Sequence, residues 1–88
     1  MKEADILTKA IAKFGIEMQK DIAIEEMSEL MKELIKEKRG KDNGEAVKSE
    51  IADVMIMMLQ LSAHYGVEDV EAHIEYKMQR LKKRIEEN

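Results

Sequence analysis

Apolar side chains recur at intervals of three and four along nearly the whole chain, the period of an α-helix that turns one face inward. In the first stretch, Ile6, Leu7, Ala10 and Ile11 predict a short helix over 2–13 that stops near Phe14-Gly15. The second carries Ile16, Ala23, Met27, Leu30, Met31 and Leu34 on one stripe. It predicts a long helix over 16–38, ended by the loop Arg39-Gly40-Lys41-Asp42-Asn43-Gly44. The third, over 45–65, is apolar around most of its circumference from Ile51 to Leu61, and such a helix must be covered on several sides. The fourth, over 68–87, has the stripe Val70, Ile74, Met78, Leu81 and Ile85. It opens with Glu68, Asp69 and Glu71 and closes with Arg80, Lys82, Lys83 and Arg84, matching the helix dipole at each end. The expectation is an all-α fold in a single domain spanning 1–88, a helical hairpin with two flanking helices. A chain of 88 residues has too little material to cover the third helix, so the hairpin is expected to assemble into an oligomer, dimer or tetramer, with a four-helix-bundle core.

Composition narrows the chemistry. The chain has no cysteine, which removes disulfides, thiolate metal sites and a cysteine nucleophile, and nothing in it points to an oxidising compartment; a cytoplasmic location is the expectation. The longest apolar run, Val54 to Leu59, falls far short of the roughly 20 residues that span a bilayer, so no membrane partner is expected. A net charge of -4 argues against a surface built for nucleic-acid phosphates, and Phe14, Tyr65 and Tyr76 are the only aromatic rings that could stack on bases. Packing is the simpler role for each of them.

The remaining acids carry a pattern. Glu26 and Glu29 lie three apart on the second helix, and Glu50 and Asp53 lie three apart on the third, each pair about 60° apart on one helix face. Glu50 and Asp53 share their stripe with Met57, Leu61 and His64, the side that ought to be packed. Carboxylates pushed toward a bundle interior cost several kcal/mol unless they are paired or bind metal. A hairpin would bring all four together as a patch of hard oxygen ligands, for which Mg²⁺ is the natural occupant and Mn²⁺ an alternative. A solvated acidic face is the competing interpretation in a chain this rich in charge. No Glu-x-x-His occurs, so the di-iron pattern of ferritin-like bundles lacks its histidines. His64 lies about 16 Å beyond Asp53 along the helix axis, out of reach of the same ion, and His73 also falls off the acidic cluster.

Glu25-Glu26-x-x-Glu29, a spacer of twenty residues, then Glu50-x-x-Asp53 resembles the EExxE...ExxD signature of the MazG-like all-α nucleoside triphosphate pyrophosphohydrolases. That superfamily also includes phosphoribosyl-ATP pyrophosphatase and the dimeric dUTPases. Phe14-Gly15, Gln19, the run Ile51 to Leu61 and Lys77-Met78-x-Arg80-Leu81 extend the likeness to nearly the whole chain. The resemblance implies that Glu26, Glu29, Glu50 and Asp53 hold Mg²⁺, with Glu25 in a helper role and Glu29 or Glu25 as the base that takes a proton from the attacking water. It further implies hydrolysis of a nucleoside triphosphate to the monophosphate and pyrophosphate, in nucleotide-pool clean-up.

Phosphate contacts would come from Lys77 and Arg80, with Arg84 a weaker candidate, although bases near a helix C-terminus are expected from the dipole alone. Gln19 lies about two turns before Glu26 on the same side and would face a bound base. Lys48 points away from Glu50 and is expected in solvent. Met55, Met57 and Met58 suit core or subunit packing better than a nucleobase pocket. Phosphoribosyl-ATP and dUTP stand as alternative substrates, and a non-catalytic helical interaction protein stands as the alternative class.

Overall fold

The computed structural model describes residues 2–87, and among them the fold is all-α. The helices are α1 (Glu3–Phe14), α2 (Ile16–Lys38), α3 (Gly44–Tyr65) and α4 (Val67–Glu86), each within a residue of the span its periodicity predicts. Two of the three connections are single glycines. Gly66 ends α3 by donating its N–H to the Ser62 carbonyl at 2.9 Å and starts α4 by accepting from the Val70 N–H at 3.0 Å. Its φ of 113° turns the chain sharply between the two helices, a conformation that a residue with a Cβ adopts only under strain. Gly15 joins α1 to α2 in the same way, with hydrogen bonds to Ile11 and Gln19.

The α2–α3 connection is longer and is pinned by side chains. Lys41 donates its N–H to the Lys36 carbonyl at 3.1 Å and Gly40 to Glu37 at 2.9 Å, the paired bonds of a Schellman cap with Gly40 at φ 99°. Asn43, buried in the loop, then reaches back ten residues. Its Nδ2 donates to the Glu33 carbonyl at 3.0 Å and to Glu33 Oε1 at 3.1 Å. Lys36 at 2.9 Å and Asn43 together hold the Glu33 carboxyl below its ordinary pKa, Lys36 foremost. The loop is therefore fastened to α2, and α3 returns antiparallel along it.

The α2–α3 hairpin is the body of the protein. Among the described residues Ala23 and Met57 are its buried apolar side chains, and Gln19 and Gln60 are buried as well. Helix α1 lies against both α2 and α3, whereas α4 touches α3 alone and makes no contact with α2. From Glu71 to Glu86 every residue of α4 is exposed. The apolar stripe of α2 also divides where the sequence shows one band. Ala23 and Leu30 face α3, while Ile24, Met27, Met31 and Leu34, at spacings of three, four and three, line a second seam open to solvent. On α3, Ile51 and Met55 are open in the same way. Helix α2 therefore carries a second apolar seam that neither α1 nor α3 covers.

Candidate metal centre

Glu26 sits at mid-height on α2, and Glu50 and Asp53 sit opposite it on α3, one turn apart. Each offers an oxygen within 4.8 Å of the others. Glu26 and Glu50 are half-buried, and Asp53 is at the exposed edge. A cleft of about 230 Å³ opens here, with Ile22, Ile56 and Met57 beside Glu26 and Asp53. The ion pairs among the described residues involve none of these three acids, so no Lys or Arg neutralises them. The Glu26 carboxyl is consequently held above its ordinary pKa. Burial contributes most, followed by the Asp53 charge, by a hydrogen bond to Asp53 that only the protonated acid can donate, and by the charges of Glu50 and Glu25.

The donor set fits a small hard cation. All three candidate ligands are carboxylates, no base among the described residues pairs with them, and they offer oxygens within 4.8 Å of one another, close enough to converge on one ion. Asp53 itself is open to solvent.

The other candidate residues fall in different places. Glu29, expected as a fourth ligand, lies outside this trio. It is half-buried one turn farther along α2 and pairs with Lys32 at 3.2 Å. Glu25 is exposed and acts on the centre only through its charge. Gln19 is interior, with its Nε2 donating to Gln60 Oε1 at 2.7 Å, while its own Oε1 is buried without a partner. Gln60 in turn donates to Met57 Sδ at 3.6 Å, so the amide pair abuts the floor of the cleft and does not face its mouth. The sequence reading passed over Gln60. Its signal was a lone amide in an otherwise apolar run, one turn beyond Met57. Lys77 and Arg80 are exposed on α4, away from the acids of α2, and the Arg80 guanidinium stacks 5.9 Å over the Tyr76 ring. No described helix is long and apolar enough to cross a membrane. In comparisons with known proteins, the chain matches no family model, no curated protein and no solved structure.

Proposed function

We propose that the protein is a Mg²⁺-dependent nucleoside triphosphate pyrophosphohydrolase that converts (d)NTP to (d)NMP and pyrophosphate. The convergence of Glu26, Glu50 and Asp53, unpaired with any described base and with two of them lining a cleft, carries this reading, and the resemblance of the acid motif to MazG-like enzymes supplies the reaction. When bound, the ion would neutralise polyphosphate charge and activate a water for attack on phosphorus. Glu26, Glu50 and Asp53 would hold it. Glu29, outside the trio but one turn away, and Glu25 behind it are the carboxylates left to accept the water's proton. Because α4 does not reach α2 within one chain, Lys77 and Arg80 would serve phosphate only from a neighbouring copy.

Assembly belongs to the same proposal. The open seam of Ile24, Met27, Met31 and Leu34 and its α3 counterpart, Ile51 and Met55, form a two-helix apolar face. A second hairpin would cover that face and complete a four-helix core.

A pyrophosphate-release assay over canonical and modified nucleotides, with dUTP and phosphoribosyl-ATP included, tests the reaction. Pyrophosphate released only with Mg²⁺ or Mn²⁺ is expected. Asp53→Asn is expected to lower the rate at least about 100-fold, the scale of losing one electrostatic stabiliser. Orthophosphate as the sole product, or an unchanged rate in Asp53→Asn, overturns the assignment.

A further inference from the structure

The accessible surface of the chain is 7280 Å², whereas a compact protein of this mass exposes about 5300 Å². The radius of gyration, 15.9 Å, likewise exceeds the roughly 12 Å of a compact chain this long. The excess surface, about 2000 Å² per chain, is more than two interfaces of ordinary size would take, each removing about 800 Å² from one partner. The hairpin face accounts for one. The second has two halves. One half is a groove of about 440 Å³ floored by Leu7, Leu59, Ala63 and Val70, with Glu71 on its wall. A second depression, with Glu3 on its wall, shares Leu7 and Leu59 with this groove. It extends to Ile56, which also lines the acidic cleft. The other half is the free end of α4, where Met78, Leu81 and Ile85 form a stripe that nothing in the chain covers.

Charge decides what covers it. From Tyr76 to Glu86 this helix carries five bases (Lys77, Arg80, Lys82, Lys83 and Arg84) against one acid, Glu86. The groove carries Glu71, the depression beside it carries Glu3, and that depression shares Ile56 with the cleft of Glu26 and Asp53. An apolar stripe with basic shoulders and an apolar groove with acidic walls lie on the same chain, which is the self-complementarity that a two-fold interface requires. We propose that the free end of α4 docks in the α1–α3–α4 groove of a second copy, reciprocally. The fit has chemical content at its far end, since the groove delivers the partner's basic helix toward the acid-lined cleft. The proposal stands whether or not the protein hydrolyses nucleotides.

Two different two-fold interfaces on one protomer make a dimer of dimers, so light scattering at micromolar concentration is expected to give the mass of four chains. Leu81→Glu is expected to halve that mass and Met31→Glu on the hairpin face to halve it independently, with circular dichroism checking that helix persists in each, and the double variant to give single chains that lose helix. A two-chain species that survives Met31→Glu but is lost in Leu81→Glu upholds the α4 interface and overturns the hairpin one. An unchanged mass in Leu81→Glu overturns the α4 interface. Because the chain has no cysteine, Leu59→Cys with Leu81→Cys supplies a positive readout: oxidation is expected to yield covalently linked dimers, whereas a disulfide closed within one chain overturns the proposal. The basic stripe could instead meet lipid. A wild-type mass unaffected by Leu81→Glu, combined with sedimentation on phosphatidylserine vesicles that Leu81→Glu abolishes, overturns the proposal in favour of a membrane surface.

Discussion

Glu26 is the residue on which folding and the proposed chemistry oppose each other. Its carboxyl is pushed above the ordinary value of 4.5, first by burial and then by Asp53 and Glu50. Over the pH range just above 4.5 the folded protein therefore keeps a proton that the unfolded chain has already lost. Stability falls as pH rises through that range, and levels off once the folded carboxyl has also ionised. Glu26→Gln keeps the shape and removes the charge, so in EDTA it is expected to flatten this slope and to leave the protein as stable as wild type, or more so, at neutral pH. Urea midpoints from about pH 4 to about pH 7 measure it. A marked loss of stability in Glu26→Gln would mean that the charge is paired and the cleft is not waiting for a cation. Added Mg²⁺ should reverse the trend in wild type alone, since the ion binds the ionised carboxylates and stabilises the state that holds it.

Helix ends show how little sequence sets each element's direction. A Cβ added at Gly66 would lie 3.0 Å from Asp69 Oδ2, and the backbone there has a φ of 113°. Gly66→Ala is expected to cost about 1–2 kcal/mol, read as a lowered denaturant midpoint with little change in helix content. Asn43→Ala removes both hydrogen bonds to Glu33 and is expected to cost a similar amount, about 1–3 kcal/mol, by freeing the hairpin loop. The four helices were legible because their apolar period and their glycines agree. The split of the α2 stripe was not, because Ala23 and Leu30 differ from Met27 and Met31 by a rotation that a single band conceals until α3 takes its place. The same limit applies to the acids. Glu26 and Glu50 were legible as inward-facing, Asp53 stands at the exposed edge, and Glu29, grouped with them by the motif, lies about 60° farther round α2 and pairs with Lys32. Lys77 and Arg80 could not be placed at all from spacing, since the turn at Gly66 decides where α4 points.

The protomer has a physical imbalance: among the described residues Ala23 and Met57 are the buried apolar side chains, while nineteen large hydrophobic residues are exposed. A protomer of 88 residues is marginal even when compact, and this one leaves most of α4 without tertiary support, where a helical end of that length is weak in water. Folding and association should therefore be one transition. If native assemblies unfold directly to separate chains, their stability follows concentration by mass action, and a hundredfold dilution removes about 2.7 kcal/mol for each dimerisation step. Thermal unfolding at about 1 and about 100 μM is expected to show a clearly higher midpoint at the higher concentration. Leu81→Glu and Met31→Glu should each lower the midpoint, and each should weaken its concentration dependence. A midpoint independent of concentration would show that the hairpin is stable alone, and the exposed seams would then need another explanation than partner copies.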